Sequence, residues 1–292
     1  MEEPLDTGQI GFRAVTGRRA ETVRIERTRG FGRLLSPHEL WRFRDVALQI
    51  AARDVKVRYR QTVLGAAWAV LQPVGTMVVF SIFFGRLAHL SSEGASYWQF
   101  SLAGLVPWSY FSTATMLGSE SLVVNAPLVG KVYFPRIFIP AGVVAAGLVD
   151  LSIAVAILLV VVAASGTSLS VSLLALPLLA LVMIAAALGV AAALAAVNVR
   201  YRDVRYVVPF AVQIWLFATP IAYPSSLLHH PWRTISAINP MTGVVEGFRW
   251  AVLGKPAAPW TLIAVSAASA VALLVAGLAY FDRVERRFAD VI

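Results

Sequence analysis

The chain has no cysteine and few charged residues for its length. Of its 292 residues, 14% are Asp, Glu, Lys or Arg, whereas soluble domains carry about 25%. Without cysteine, the chain has no disulfide, no thiolate zinc site, no iron–sulfur ligation and no thiol nucleophile. The shortage of charge argues against two ordinary soluble domains, because so few ionic groups cannot keep two surfaces hydrated.

Hydrophobic residues take the place of the missing charge: they make up 58% of the chain, and its mean hydropathy is +0.72. Residues 137–199 contain a single charged side chain, Asp150. A helix needs about 20 residues to cross a membrane, so this stretch predicts two spans separated by a turn at residues 165–168. Similar uncharged stretches elsewhere raise the number of predicted spans to six. The predicted spans are residues 65–86, 101–120, 137–163, 170–197, 207–223 and 259–281.

The predicted fold is therefore an all-α integral membrane protein. Six buried core helices of a large soluble protein are the alternative, which the small number of polar residues disfavours. Of the 25 Lys and Arg residues, 21 fall on one side of the predicted spans and 4 on the other. The positive-inside rule assigns the richer side, with both termini, to the cytoplasm. The first 60 residues also lack the pattern of a secretory signal, which favours the same orientation.

The N-terminal segment divides at Ser36. Residues 1–35 lack periodicity and are predicted to form a flexible cytoplasmic tail. The Ser-Pro-His-Glu sequence that follows is typical of a helix start and predicts a helix over residues 36–64. This helix is amphipathic and basic, with aromatic residues on its apolar side, and such helices lie in the membrane interface. Packing against a soluble partner is the other interpretation, and the two are compatible.

The cytoplasmic loop after span two is unusually rich in aromatic residues and proline. A short helix over residues 125–136 would present Lys131, Tyr133 and Phe134 to something outside the membrane. Anchoring of these side chains at the lipid interface is the alternative interpretation.

The segment between spans five and six, residues 224–258, is also unusual. Residues 234–245 carry no charge, yet they are too few to span a membrane. This pattern predicts one or two re-entrant helices, which are tolerated at membrane depth only when protein buries them. Glu246 and Arg249, three residues apart on such a helix, can neutralise each other.

The sequence contains no recognisable catalytic or metal-binding pattern. The four histidines are not paired with carboxylates at metal-ligand spacing, and there is no phosphate-binding Gly-rich loop. We therefore predict no catalytic residue, no metal site and no cofactor on this chain. Asp150 alone favours a polar contact between helices over a proton pathway. The net charge of +9 reflects topology and contact with anionic lipids, so nucleic acid is not an expected partner.

Aromatic residues are plentiful near the predicted span ends, where a lipid-interface belt is their usual role. Phe80, Phe83 and Phe84 stand at i, i+3 and i+4, a spacing that predicts one stripe on span one. Such a stripe can stack on the apolar faces of sugar rings, and plain helix packing is the alternative.

Several sequence blocks together resemble the ABC-type polysaccharide and polyol-phosphate export permeases. The resemblance extends over about residues 36–285. It is strongest in residues 53–65 with Ala67-Trp68 and Leu71-Gln72-Pro73, and it continues in residues 125–129, 131–136, 198–204, 239–241 and 248–249.

The resemblance implies a homodimer of six-span subunits in the bacterial inner or plasma membrane, joined to two copies of an ABC ATPase subunit. ATP and Mg²⁺ would bind to those partner subunits. The interface helix and the helix at residues 125–136 would contact the ATPase, and the re-entrant helices would form an outer gate. The resemblance assigns ATPase coupling to Arg53, Asp54, Lys56, Arg58, Tyr59, Asn125, Lys131, Tyr133, Phe134 and Arg136. It assigns channel lining to Phe80, Phe83, Phe84, Trp215 and Phe217, and the outer gate to Asn239, Glu246 and Arg249.

The function that the resemblance implies is export of a lipid-linked polysaccharide, as in O-antigen, teichoic acid or galactan systems. The alternative is a permease of the same architecture for a small hydrophobic compound or drug. A membrane-embedded glycan-processing enzyme would need an acidic or histidine cluster, which the sequence lacks. A secondary flippase is disfavoured by the near absence of charge within the spans.

Overall fold

The computed structural model describes residues 41, 44–60, 67–129, 134–167 and 170–285, and these contain helices but no strands. Ten α-helices lie within these ranges: α1 (Arg44–Arg60), α2 (Trp68–Phe80), α3 (Tyr97–Val124), α4 (Ala126–Val129), α5 (Phe138–Ala164), α6 (Leu176–Arg200), α7 (Val204–Ala218), α8 (Trp232–Ser236), α9 (Pro240–Leu253) and α10 (Trp260–Glu285). Helix α2 continues as a π-helix, Ser81–Leu87, and a 3₁₀ turn, Val171–Ala175, precedes α6. The all-α prediction is confirmed for the described residues.

Four described helices are long and apolar enough to cross a membrane: Trp68–Leu87, Phe138–Ala164, Val171–Arg200 and Trp260–Glu285. They correspond to the predicted spans one, three, four and six. Helix α3 occupies the position of span two, and α7 that of span five. Helix α7 has 15 residues and is only about 22 Å long, shorter than a ~30 Å hydrocarbon core. The protein is thus a multi-pass membrane protein, and the count of six spans stays a prediction.

Helix ends follow local sequence signals. The side chain of Gln99 accepts a hydrogen bond from the Ser96 backbone N–H at 3.3 Å, which closes the first turn of α3. Helix α5 ends at the predicted turn, where Gly166 has φ 81°, and α9 ends at Gly254, with φ 65°. Both positions need a left-handed backbone, which glycine adopts without steric cost.

The centre of the bundle is α6, which packs between α3 and α10 through small residues. A Cβ atom at Gly118 of α3 would lie 2.6 Å from the Cβ of Ala191, and one at Gly277 of α10 would lie 2.0 Å from the Gly189 oxygen. The backbones of α6 and α10 therefore touch, as in the close packing of membrane helices through small residues. Asn198 Nδ2 adds a 2.9 Å hydrogen bond to the Ser119 carbonyl of α3.

Helix α1 packs along α5, and the two run in the same direction. Ile50 fills the space beside Gly142, and eight residues further along each helix Arg58 meets Asp150. We call the end of the bundle that holds Asn125 and the start of α5 the proximal end. The opposite end, with the loops at residues 88–96, 165–167 and 219–259, is the distal end. The location of α1 in a membrane interface stays a prediction.

Candidate functional site

The proximal end holds the residues predicted to couple to an ATPase, and the structure brings three of them together. Arg53 Nη2 donates to Asp54 Oδ1 at 2.8 Å and to Asn125 Oδ1 at 2.7 Å. Asn125 Nδ2 in turn donates to the Ser121 carbonyl at 2.8 Å. The exposed side of α1 is thereby tied to the last turn of α3, while Lys56 lies exposed nearby.

The predicted coupling helix at residues 125–136 is only partly described. Helix α4 covers its first residues, and Lys131 and Tyr133 lie outside the described residues. Phe134 is 6% exposed and packs in an apolar cluster with Leu122 and Phe281. The prediction that Phe134 faces a partner is therefore wrong, because its ring is buried within the chain.

Arg136 is joined to the C-terminal end of α10. Its Nη1 donates to the Glu285 backbone carbonyl at 3.3 Å, and its backbone N–H donates to Glu285 Oε1 at 3.3 Å. Together with the buried ring of Phe134, this contact fixes the segment that precedes α5 against α10.

Arg58 and Tyr59, both predicted to couple to the ATPase, turn toward α5. Arg58 Nη1 donates to Asp150 Oδ2, and the Tyr59 hydroxyl donates to Asp150 Oδ1. Asp150 lies 12 residues after the start of α5, about 18 Å along the helix. A carboxylate inside a spanning helix needs a partner to neutralise it. The expected polar contact between helices is confirmed.

At the distal end, Arg249 is completely buried and binds four oxygens. Its Nη1 donates to the Pro220 carbonyl at 2.7 Å and to Glu246 Oε1 at 3.1 Å. Its Nη2 donates to the Ile221 carbonyl at 2.7 Å, and its Nε to the Phe100 carbonyl at 3.2 Å. The guanidinium also lies 3.5 Å from the centre of the Phe100 ring. It therefore joins α9 to α3 and to the segment after α7, and the predicted pairing with Glu246 is confirmed.

Two further groups fix the predicted outer gate. Glu246 accepts the Ser225 backbone N–H at 3.1 Å. Asn239 caps α9 by accepting the Met241 N–H at 3.0 Å. The same Asn239 oxygen accepts from Trp215 Nε1 at 3.0 Å. The polar residues assigned to the gate thus hold α9 in place and link it to the end of α7. Re-entrant insertion of the segment stays a prediction.

Glu93, in the distal loop between α2 and α3, forms an ion pair with Lys255 and accepts a hydrogen bond from Ser226. Partial burial alone would raise the pKa of Glu93, but the hydrogen bonds from Lys255 and Ser226 and the lysine charge outweigh that effect. The pKa of Glu93 therefore lies below its ordinary value. This carboxylate connects the loop at residues 88–96 to two parts of the segment at residues 219–259.

The aromatic residues predicted to line a channel divide into two groups. Phe80 is buried, and its ring meets Phe84 edge-on at 5.3 Å between centroids. Trp215 packs edge-on against Phe111 at 5.1 Å. In contrast, Phe83 is 58% exposed and Phe217 55% exposed.

The prediction of a single stripe is wrong for Phe83. The chain changes to a π-helix at Ser81, directly before that residue. The wider turn, with its i→i+5 bonding, rotates Phe83 away from the side on which Phe80 and Phe84 pack.

Helices α2 and α7 each leave an apolar face uncovered. On α7 the exposed residues recur at helical spacing: Tyr206, Phe210, Ile214 and Phe217. On α2 and its π-helical extension they are Leu71, Val78, Val79, Ile82 and Phe83. Contiguous exposed apolar surface of this kind marks contact with lipid or with another protein chain.

Sequence reasoning missed the partners of Asp150 and the role of Glu93. The isolation of Asp150 in a long uncharged stretch indicated that some partner must exist. Nothing in the spacing identified Arg58, which is 92 residues away in the chain. Glu93 follows two serines in an ordinary polar loop, so no local signal set it apart.

The fold is that of a multi-pass membrane protein, and the chain belongs to the ABC-2 type transporter family, whose pattern matches residues 47–253. Permeases of this family are transport subunits that work with an ATPase subunit.

Among proteins of known name, the chain is 30% identical to the O-antigen export system permease protein RfbA of Myxococcus xanthus. That match extends over 258 residues, 87% of this chain and 98% of that protein. Two proteins named O-antigen export system permease protein RfbA from Klebsiella pneumoniae are 24% and 26% identical over 249 residues. Each of these matches covers 85% of this chain and 95% of the relative. The family resemblance noted in the sequence is confirmed.

Proposed function

We propose that this chain is the permease subunit of an ATP-driven exporter that moves a lipid-linked polysaccharide across the bacterial inner or plasma membrane. The observation that carries the proposal is 30% identity over 258 residues to a permease named for O-antigen export. That match covers 87% of this chain and 98% of the relative. The proximal end is then the cytoplasmic end, as the distribution of Lys and Arg predicts.

The working unit in this proposal is a homodimer. The exposed faces of α2 and α7 leave large aromatic and aliphatic side chains uncovered in one subunit. A second copy would cover part of these faces and enclose a path between them, with Phe83 and Phe217 on its surface. Phe80, Phe84 and Trp215 pack behind that surface and support it. An almost uncharged lining of this kind suits a polymer whose sugar rings stack on aromatic faces.

Two ABC ATPase subunits would dock at the proximal end and bind ATP and Mg²⁺ there. The exposed side of α1, with Arg53 and Lys56, and the segment at residues 125–136 are the proposed contacts. Phe134 and Arg136, at the end of that segment, contact α10. A push from the ATPase on this end of the segment would therefore pass into the bundle.

The proposal is tested by purifying the permease together with its ATPase partner and reconstituting the complex in lipid vesicles. A lipid-linked polysaccharide should stimulate ATP hydrolysis and appear on the opposite face of the vesicle membrane. Small amphiphilic compounds, matched for the lipid anchor but without the glycan, should not stimulate hydrolysis. Stimulation by the small amphiphiles alone would replace polysaccharide export with export of a small hydrophobic compound.

A further inference from the structure

Two cavities lie side by side between α2, α3 and α5. The first has a volume of about 270 Å³, and its polar lining includes Arg58, Tyr59 and Asp150. Gln72 of α2 and three hydroxyl residues of α3, Ser109, Tyr110 and Thr113, also contribute to it. The second has a volume of about 280 Å³ and is lined by aliphatic side chains together with Met77 and Trp98. Taken together, their volumes are in the range of small-molecule sites.

The two cavities are adjacent, because Val106 of α3 and Ala154 of α5 line both of them. Along α3 the polar cavity extends from Val106 to Leu117, about 16 Å toward the proximal end. The apolar cavity extends from Val106 to Trp98, about 12 Å toward the distal end. The two cavities therefore follow one another along α3, the polar one toward the proximal end and the apolar one toward the distal end. We call the pair the α2–α3–α5 groove.

The groove is accessible from the surface that faces lipid. Trp68 beside the polar cavity is 57% exposed, and Ile157 beside the apolar cavity is 39% exposed. A membrane lipid has the same gradient of polarity, with a headgroup at one end and hydrocarbon at the other. Its headgroup would lie near Asp150, and its acyl chain would extend between α2 and α5 toward the distal end.

The charges in the polar cavity select the headgroup. Arg58 and Asp150 lie side by side and sum to zero charge. An anionic headgroup would meet the carboxylate, and a purely cationic one would meet the guanidinium. A zwitterionic headgroup avoids both conflicts, because its phosphate can approach Arg58 while its ammonium approaches Asp150.

We propose that the α2–α3–α5 groove binds a zwitterionic phospholipid with a primary ammonium, that is, an ethanolamine headgroup. A guanidinium offers five N–H donors and a carboxylate about four acceptor positions. The pair can therefore bind each other and a headgroup at once. A primary ammonium donates hydrogen bonds to the carboxylate, whereas a choline headgroup has no N–H to donate. The bound lipid would bridge α1 and α2 through residues of both helices.

The experiment uses the full-length permease, purified with its ATPase partner in detergent and stripped of lipid. Phosphatidylethanolamine, phosphatidylcholine and phosphatidylglycerol with identical acyl chains are titrated separately and counted by native mass spectrometry. Because an ethanolamine ammonium can donate a hydrogen bond to Asp150 and the other two headgroups have no ammonium N–H, we expect phosphatidylethanolamine to bind the groove about tenfold more tightly than either of the others.

Two variants test the contributions of the lipid headgroup and of its acyl chain separately. Asp150→Asn removes the negative charge and should reverse the preference, so that phosphatidylglycerol binds more tightly than phosphatidylethanolamine. Ala154→Phe fills the junction of the two cavities and should reduce binding of all three lipids. Val160→Phe, on the same helix but 68% exposed, is the matched control and should bind as the unaltered protein does.

A reversed preference cannot arise from misfolding, so the Asp150→Asn result tests the headgroup independently of stability. Equal binding of the three lipids to the unaltered protein would overturn the proposal. So would an ethanolamine preference that survives Asp150→Asn, or an equal loss of binding in the Ala154→Phe and Val160→Phe variants.

Discussion

Replacing Arg249 by Met removes a buried guanidinium while keeping a side chain of similar length. The change leaves Glu246 buried without its cationic partner. It also removes the donors to the carbonyls of Phe100, Pro220 and Ile221. Breaking a buried ion pair by removing one partner costs about 3–5 kcal/mol. We expect a loss of that size in the free energy of unfolding, a large share of the ~5–15 kcal/mol that stabilises a typical protein.

Thermal unfolding of the detergent-purified permease measures this loss. For domains of about 150–250 residues, 1 kcal/mol shifts the melting temperature by roughly 2–4 °C, so the Arg249→Met variant should melt about 6–20 °C lower. The matched variant is the double substitution Arg249→Met with Glu246→Leu. Replacing both members of a buried pair by apolar residues removes the unpaired charge, so the double variant should recover part of the loss.

The outcome of the double variant tests the physical reasoning. If the unpaired carboxylate of Glu246 is the main cost, the double variant melts above Arg249→Met. A double variant that melts below the single one would show that the cost lies elsewhere in the site. A shift smaller than about 2 °C for Arg249→Met would refute the idea that this side chain holds the distal end together.

Three further predictions concern packing, pH and coupling. Gly277→Ala should destabilise the protein by about 1–3 kcal/mol through overpacking, because the added Cβ would meet the α6 backbone. Gly75→Ala is the control: its added Cβ would have nothing within 4 Å, so the melting temperature should stay unchanged or rise. The pKa of Glu93 is lowered in the folded state, so its stabilising effect is present above the ordinary Glu pKa of about 4.3 and is lost as pH falls through the lowered value. The melting temperatures of the unaltered protein and Glu93→Gln should therefore differ at pH 7 and converge in acid, and a constant difference down to pH 3 would contradict this. Lys56→Glu should weaken co-purification with the ATPase subunit, and Arg233→Glu at the distal end should not. If both substitutions weaken co-purification equally, α1 is not part of the docking surface.

Four of the spans, the turn between the third and fourth predicted spans, and the pairing of Glu246 with Arg249 could be predicted from the sequence. Each depends on neighbours in the chain: a long apolar run, a Gly-containing turn, or two charges one helical turn apart. The contact of Arg58 with Asp150 could not, because it depends on how α1 packs along α5. The burial of Phe134 has the same origin, since its partners come from α3 and α10.

The exposed position of Phe83 was missed for a different reason. The spacing argument assumes 3.6 residues per turn, and the π-helical segment does not keep that step. The family resemblance assigned Trp215 to a channel lining. Its indole N–H donates a hydrogen bond to Asn239 and its ring packs on Phe111. No local sequence pattern predicts these contacts.

The backbone contact between Gly189 of α6 and Gly277 of α10 also bears on how the protein can move. Helices whose backbones touch cannot slide or rotate past each other without a collision, so α6 and α10 act mechanically as one block. Helices α2 and α7 differ, since each contains an internal proline, Pro73 and Pro209, and each keeps an open face. We expect the displacements of a transport cycle to be concentrated in α2 and α7, with the glycine-joined pair serving as the stationary frame against which they shift.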